Sequence, residues 1–409
     1  PARRSIRTRL LLLALLPLGV VLPLIMAALA YWGGGYFDQL LSTKVRSDLA
    51  VAHSYYERVT EGVGHSLASQ AVADRLVRAV VAGHGRPTRE LSAILESARA
   101  ARQLDFLRFV DRDRARRLAG EWEVLASALA GSARTETEIF SAAQLAALDP
   151  ALADRAATPL IATPNAVPTD RSVEERGLVI HSAAPVVDAA GEVIGVLEGG
   201  ILLNKNLNFI DNLNAVVYAD GTLPLGSTGT ATLFLHDVRV ATNVRLFGDT
   251  RAIGTRVSVV VRDAVLKQGR TWLDSAFVVN DWYVSAYEPL LDGRQQRVGM
   301  LYVGFLEQPF ARARWHALYA VAGFFLLAML LAGIYAAVSA RRVFKPIERM
   351  HATMTAIEYG EDGARVGPVA GEDELGVMAA HFDRLLDQLQ LQADSLKRWG
   401  ASLDAKVAA

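Results

Sequence analysis

Two long stretches of the sequence carry no charged side chain, and they restrict the possible folds more than any other feature. The first covers 23 residues at 10–32, and the second covers 24 residues at 317–340. At a rise of 1.5 Å per residue, each would form a helix of roughly 35 Å, longer than the bilayer hydrocarbon core of about 30 Å. A segment that faces lipid must satisfy its own backbone hydrogen bonds, so we predict two transmembrane helices.

Basic residues flank the two stretches unequally. Four arginines precede the first stretch, and two arginines and a lysine follow the second. The positive-inside rule therefore predicts a cytoplasmic tail at 1–9, one large outside region at 33–316, and a cytoplasmic segment from residue 341. Ala28-Leu29-Ala30 also has the form of a signal-peptide cleavage site, so removal of the first stretch stays open as an alternative.

Composition narrows the functional classes. The 409 residues carry 43 Lys and Arg against 43 Asp and Glu, and this zero net charge argues against nucleic-acid binding. The sequence has no cysteine, which excludes disulfides, thiolate metal sites and cysteine nucleophiles. It also has no glycine-rich phosphate loop, no paired metal-binding histidines and no nucleophile elbow. We therefore predict no catalytic residue, metal site or cofactor within this chain.

Five residues of the outside region recur at a constant distance of 104 residues. Around each copy, a strand ends near a proline, a turn follows, and a strand of small and apolar residues comes next, which predicts a β-hairpin. The turns fall at 189–191 and 293–295. The repeat therefore predicts two similar α+β units in tandem. The repeated residues are Pro185, Asp188, Gly195, Leu197 and Gly200 in the first copy, and Pro289, Asp292, Gly299, Leu301 and Gly304 in the second.

Hydrophobic periodicity predicts the elements around the repeat. Apolar residues at three- and four-residue spacing predict a long helix over about 37–81 and a second helix over about 89–103. Alternation predicts a strand over 104–110, and three prolines predict a loop over 159–168. In the second copy we predict a helix over 258–267 and strands over 230–236, 239–242, 271–278, 282–288 and 298–305.

Four stretches of the second copy, at 238–243, 251–255, 286–289 and 299–304, support a family resemblance. With the tandem units, they resemble the double Cache domain, an extracytoplasmic sensor built from two PAS-like units, over about residues 38–310. The resemblance implies a membrane-distal unit at about 85–215, a membrane-proximal unit at about 229–305, and a small ligand over one face of an antiparallel sheet. It also implies a multi-pass protein of the bacterial inner membrane with a periplasmic sensor.

Polar and aromatic residues beside the predicted strands are the candidate ligand contacts. An arginine among them would suit a carboxylate ligand through bidentate pairing, whereas aromatic residues on strands are also common core residues. In double Cache sensors the distal unit usually binds the signal, which favours the first group. The candidates are Arg102, Arg108, Asp111 and His181 in the first unit, and Arg239, Trp282, Tyr283 and Tyr287 in the second. Ser182, Asn243 and Arg251 complete a wider set.

A heptad pattern follows the second apolar stretch. Apolar residues form one seam over 347–357 and another over 375–403, joined by a glycine-bearing connector. Two short helices cannot bury such seams alone, so we predict a parallel homodimer with a four-helix bundle. The segment at 341–392 resembles the HAMP domain, the signal relay of bacterial receptors. The relay residues that this resemblance implies are Pro346 at the start of the first helix and Glu372, Asp373, Glu374, Leu375 and Gly376 at the start of the second.

These features predict a transmembrane receptor that senses a small extracytoplasmic ligand. Residues 396–407 resemble the linker helix of many sensor histidine kinases, so we expect 393–409 to begin a coiled-coil linker to a further output domain. ATP and Mg would be needed only by such a kinase domain, and a response regulator would be its partner. A methyl-accepting chemotaxis receptor and a cyclase or phosphodiesterase receptor share the same sensor and relay and stay open. A membrane-anchored binding protein without output is disfavoured by the relay.

Overall fold

The computed structural model describes residues 6–279, 281–369 and 374–407. The chain divides into two compact parts, one at 35–314 and the other formed by 1–34 together with 315–409. We call residues 35–314 the sensor part.

Two helices are long and apolar enough to cross a membrane, as the uncharged stretches predict. They are α1 (Ile6–Ala71) and α10 (Gln308–Glu358), and their apolar windows bury no side chains within the protein. Both helices continue well beyond the uncharged stretches. Pro346 lies inside α10 and does not begin a new helix. The prediction that a helix starts at Pro346 is therefore wrong, because one continuous helix accommodates the proline ring.

The first unit of the sensor part is a four-stranded antiparallel sheet with helices on both faces. The strand order is β1-β6-β5-β2. The predicted helix over 37–81 is divided, since α1 ends at Ala71 and α2 begins at Asp74, whose carboxylate favours a helix N-terminus. The elements are α2 (Asp74–Ala82), α3 (Arg89–Ala101), β1 (Phe106–Asp111), α4 (Arg112–Leu118), α5 (Glu123–Leu129), β2 (Arg134–Phe140), α6 (Ala142–Leu148), α7 (Pro150–Ala156), β3 (Thr158–Pro159), β4 (Val173–Glu174), β5 (Gly177–Val187), β6 (Val193–Leu202) and α8 (Leu207–Val217).

The second unit is a five-stranded antiparallel sheet in the order β11-β12-β13-β7-β8. Its predicted strands are all present, with ends that differ by up to three residues. The predicted helix divides into α9 (Val259–Arg262) and a π-helical turn at Asp263–Lys267. The strands are β7 (Gly229–Leu235), β8 (Val238–Thr242), β9 (Arg245–Phe247), β10 (Thr250–Arg251), β11 (Trp272–Val278), β12 (Asp281–Leu291) and β13 (Arg297–Leu306).

The internal repeat corresponds to two hairpins with the same turn. In β5–β6 the Asp188 carboxylate accepts hydrogen bonds from the backbone N–H groups of residues 190 and 192 at 2.9 and 3.0 Å. In β12–β13 the Asp292 carboxylate accepts from residues 294 and 296 at 2.9 and 2.7 Å. A register shift precedes both turns, at 186/187 and at 290/291. The 104-residue spacing therefore reflects a repeated backbone geometry, as predicted.

Three hydrophobic clusters hold the sensor part together. The largest follows α1, from Leu41 to Ala71, and includes inward-facing residues of both sheets. A second cluster lies between the other face of the first sheet and α4–α7. A third covers the corresponding face of the second sheet beside α9. One face of each sheet thus packs in the cluster that contains α1. The other face packs against α4–α7 in the first unit and beside α9 in the second.

The predicted relay segment consists of the end of α10, a connector, and α11 (Glu374–Val407). The Asp383 carboxylate accepts from the backbone N–H groups of Val366 and Gly367 at 2.9 and 3.1 Å, which docks the connector on α11. Seam residues such as Met354, Leu385 and Leu389 are exposed in the single chain. Glu374, Leu375 and Gly376 form the first turn of α11, whereas Glu372 and Asp373 lie outside the described residues.

Candidate functional site

A cavity of about 450 Å³ lies on the face of the second sheet that is turned away from α1. Its walls are formed by β8, β11, β12, α9 and the segment 161–165, which reaches over from the first unit. That segment is held by backbone contacts, including Ile161 N–H to Gly254 O at 2.9 Å and Val259 N–H to Asn165 O at 2.8 Å. Part of the predicted loop at 159–168 therefore forms a wall of this cavity.

Arg239 of β8 lies at the base of this cavity and is only 5% exposed. A bulge in β8 and backbone bonds to residues 254 and 255 place it there, and Gly254 adopts a left-handed φ of 87° beside it. The guanidinium donates from Nη1 to Thr255 Oγ1 at 3.1 Å and lies 5.2 Å from the Phe234 ring centroid. Its buried Nε has no hydrogen-bond partner, and it forms no ion pair with any described residue. Burial lowers the pKa of Arg239.

Aromatic residues surround the arginine. Tyr287 of β12 lines the cavity, and its ring centroid lies 4.6 Å from Tyr302 of β13 and 5.6 Å from Trp272 of β11. Trp282 lines the cavity at a half-exposed position. Tyr283 is buried in the cluster beneath it, and burial raises the Tyr283 pKa to about 12. Three predicted residues, Arg239, Trp282 and Tyr287, are thus brought together at one cavity.

The corresponding face of the first sheet is occupied by a charged network. His181 of β5 is fully buried, its Nδ1 contacts the Glu138 carboxylate of β2, and its Nε2 lies 3.1 Å from Glu198 Oε1 of β6. Arg108 of β1 completes the network, because its Nε and Nη2 donate to the two Glu198 oxygens at 2.8 and 3.2 Å. The network therefore crosses all four strands of the sheet.

Aromatic side chains cover His181, which is fully buried. The rings of Trp122 and Phe140 stack at 4.3 Å, and both meet the His181 ring edge-on, at 5.3 and 5.0 Å. Although burial opposes the charged imidazole, hydrogen bonds with Glu138 and Glu198 raise the pKa of His181. Burial likewise opposes ionisation of Glu198, but His181 and Arg108 lower its pKa to about 2. The first sheet thus fills its own face with paired charges.

The remaining predicted contacts lie elsewhere. Arg102 follows α3, and it donates to Ser66 Oγ at 2.6 Å and to Gln70 Oε1 at 3.4 Å of α1. Asp111 caps α4 by accepting from Arg114 N–H at 2.9 Å. Neither residue belongs to the His181 network. Of the wider set, Asn243 accepts a hydrogen bond from the backbone of β7, and Arg251 pairs with Asp211 of α8.

Sequence reasoning missed Glu138, Glu198 and Trp122. The alternating Arg134-Thr-Glu-Thr-Glu138 pattern was a detectable strand signal, since residues at every second position share one face of a strand. The partners of His181 come from strands 43 and 17 residues away in sequence. Because this pairing depends on strand order, the local pattern alone does not identify the network.

The His181 network predicts how the stability of the first unit depends on pH. The His181 pKa is raised above 6.5, so its contribution to stability is complete below pH 6.5 and declines as pH rises through the folded-state pKa. The Glu198 pKa is lowered from 4.5, so its contribution declines as pH falls from 4.5 toward about 2.

We expect amide exchange in β5 to be slowest near pH 4.5–6.5 after correction for intrinsic rates. The expected loss above that range is at most about 1.4 kcal/mol per pH unit for one proton. A Gln substitution at His181 should flatten the alkaline limb, and a slope that persists in this variant would contradict the assignment.

Comparison with known proteins agrees with this architecture. Residues 201–316 match the family model of the single cache domain 3, and residues 338–391 match that of the HAMP domain. The first match covers the second unit together with α8, and the second covers the relay segment. A comparison with curated protein sequences found no match.

Several solved structures are similar to the sensor region. The periplasmic domain of Vibrio cholerae LuxQ is 13% identical, covers 64% of this chain and 98% of its own, and gives a TM-score of 0.36. The sensor domain of the V. cholerae histidine kinase DctB is 12% identical, with 65% and 97% coverage and a TM-score of 0.34. The sensory domain of the Campylobacter jejuni chemoreceptor Tlp3, with isoleucine bound, is 14% identical, with 66% and 94% coverage and a TM-score of 0.33.

The two family matches and the order of elements now define the type of molecule. An α+β sensor lies between two helices that are long and apolar enough to span a membrane, and a relay helix follows the second. The chain therefore contains a Cache sensor domain followed by a HAMP domain, the combination of a transmembrane signal receptor.

Proposed function

We propose that this receptor binds its small-molecule signal in the cavity of the second unit, with Arg239, Tyr287 and Trp282 as ligand contacts. The observation that supports this most strongly is that the Arg239 guanidinium, at the base of an open cavity, forms no ion pair with any described residue. In the first unit, Arg108 and His181 are already paired with carboxylates of the protein. We therefore assign Arg102, Arg108, Asp111 and His181 to structure and Tyr283 to the support of Tyr287.

The proposed signal path leads from the cavity to the second membrane helix. Tyr287 lines the cavity and packs on Tyr302 of β13, and β13 ends at Leu306, two residues before α10 begins at Gln308. Phe305 of β13 lies 4.9 Å from Phe310 of α10, measured between ring centroids. A ligand that favours one position of β13 would therefore act directly on the start of α10.

We further propose that the receptor is a parallel homodimer in the bacterial inner membrane, with the sensor in the periplasm. The exposed seams of α10 and α11 support dimerisation, because apolar residues at heptad spacing are stable only against a partner helix. Helix packing within this bundle would carry the signal onward, with Pro346 in the first helix and the 372–376 segment at the start of the second.

For the output we propose a sensor histidine kinase, supported by the resemblance of 396–407 to the linker helix of these enzymes. A response regulator would then be the downstream partner. Incubation of full-length receptor with ATP and Mg tests this proposal through phosphohistidine formation. Ligand-dependent methylation without phosphohistidine would identify a chemotaxis receptor instead, and cyclic-nucleotide turnover would identify a cyclase or phosphodiesterase receptor.

Single cysteines test the dimer and its response, since the native chain contains none. We expect Met354→Cys and Leu385→Cys to form intersubunit disulfides several-fold faster than Arg384→Cys, which lies on the outward side of the same helix. Ligand should change the rate at the seam positions. Equal rates at Leu385 and Arg384 would contradict a parallel bundle.

A further inference from the structure

We infer that the cavity of the second unit takes a monocarboxylate with an apolar body and no ammonium group. This inference rests on the proposed function of that cavity and adds the chemical class of its ligand. It depends on three observations about the cavity: its charge balance, the unpaired edge of one guanidinium, and the chemistry of its walls.

The charge balance of the cavity is positive. Arg239 and Arg256 line it, and none of the described residues that line it is acidic. Arg256 is neutralised outside the cavity, because its Nη2 donates to Asp237 Oδ2 at 2.6 Å and both side chains are buried. Arg239 has no such partner among the described residues. One positive charge is therefore left uncompensated, which matches a ligand with one negative charge.

Part of the Arg239 guanidinium has no partner among the described residues. Nη1 is used by Thr255, whereas Nε is buried without a partner and Nη2 forms no hydrogen bond with a described residue. Arg108 uses this same Nε–Nη2 edge to hold both oxygens of Glu198. A ligand carboxylate would pair with this guanidinium through a charge-assisted hydrogen bond, and the pair would become bidentate if the side chain turned its buried Nε toward the cavity.

The described residues of the walls carry no acidic side chain and are mostly apolar, which disfavours an amino acid and favours an apolar body. An ammonium group would need a carboxylate or several carbonyl acceptors, and it would lie close to a buried guanidinium of the same sign. The walls instead offer Leu246, Val261, Trp272 and Phe277. Binding of a compact branched or aromatic carboxylate would therefore bury apolar surface while pairing its one charge.

Three ligands with the same carbon skeleton test the inference on the full chain in nanodiscs. We expect 4-methylpentanoate to bind. We expect 4-methylpentanamide and L-leucine to bind at least about tenfold more weakly, because the amide lacks the negative charge and L-leucine adds an ammonium group. Isothermal titration calorimetry measures the three affinities. Equal or tighter binding of L-leucine or of the amide would overturn the inference, and so would the absence of binding by 4-methylpentanoate and benzoate at millimolar concentration.

Variants locate the binding to the cavity. We expect Arg239→Gln to weaken 4-methylpentanoate binding at least about tenfold, whereas Arg245→Gln, at an exposed arginine paired with Asp249, should leave it unchanged. Ala276→Trp fills the cavity without touching the charge and should also remove binding, which keeps the test valid if Arg239→Gln fails to fold. Unchanged affinity in a folded Ala276→Trp variant would place the ligand elsewhere.

A second readout separates the ligand class from the proposed function. Disulfide formation at Leu385→Cys reports on the relay independently of affinity. If 4-methylpentanoate binds with the expected selectivity but leaves crosslinking unchanged, the ligand class stands and the proposed signalling fails. If L-leucine binds in the cavity and changes crosslinking, the signalling stands and the ligand class is overturned.

Discussion

Replacing His181 with alanine is expected to lower the free energy of opening of β5 by about 3–5 kcal/mol. The imidazole is fully buried between Glu138 and Glu198, and Arg108 reaches only Glu198. Its removal leaves two buried carboxylates close together with a single arginine to balance them, and it also leaves a space beside Trp122 and Phe140. Amide exchange of β5 in the full chain measures this loss as an acceleration of about a hundredfold to several thousandfold.

His53→Ala is the matched control for this prediction. His53 also lies between two carboxylates, with Nδ1 at 2.7 Å from Glu288 and Nε2 at 3.0 Å from Glu57, but its side chain is 45% exposed. Water can replace its partners, so we expect a change of about 1 kcal/mol or less. If the two histidine variants exchange at similar rates, burial of the His181 network does not dominate the stability of the first unit.

Insertion of three glycines after Glu307 is expected to abolish the ligand-induced change at the HAMP seam while leaving ligand affinity unchanged. Glu307 joins β13 to α10, and its backbone N–H donates to Trp282 O at 3.0 Å while its carbonyl accepts from Ala311 N–H at 3.1 Å. A flexible insertion breaks this direct connection. Typical coupling free energies of about 1–3 kcal/mol between two sites would then fall to near zero.

The readout is ligand-dependent disulfide formation at Leu385→Cys, measured with and without the insertion. The same glycines inserted between Gly221 and Thr222 serve as the control, because this turn is exposed and lies outside the strands of either sheet. We expect the control to respond like the parent. A ligand response that survives the insertion after Glu307 would exclude β13 as the route of the signal.

Local features of the chain are predictable because they depend on neighbours in sequence. The two apolar helices follow from 23 and 24 consecutive uncharged residues. The two hairpins follow from a repeat whose aspartates bind the backbone of their own turns, so that Asp188 and Asp292 form the same structure 104 residues apart. The two strands of the second hairpin were predicted to within three residues. Pro346 is the exception, since a proline predicts a helix boundary that the surrounding turns of α10 override.

The use of each candidate site residue depends on contacts between distant strands. In sequence, Arg108 and Arg239 are equivalent: each is an arginine on a strand beside the ligand face of a PAS-like unit. Strand order places Glu198 opposite Arg108 and leaves the edge of Arg239 without a carboxylate. The sequence by itself therefore determined the two long apolar helices, the repeated hairpins and the heptad seams, which arise from periodicity and repetition. Only the tertiary structure decided which arginine has a carboxylate partner among the described residues, because neutralisation of a buried charge depends on groups that the fold brings within about 3 Å of it.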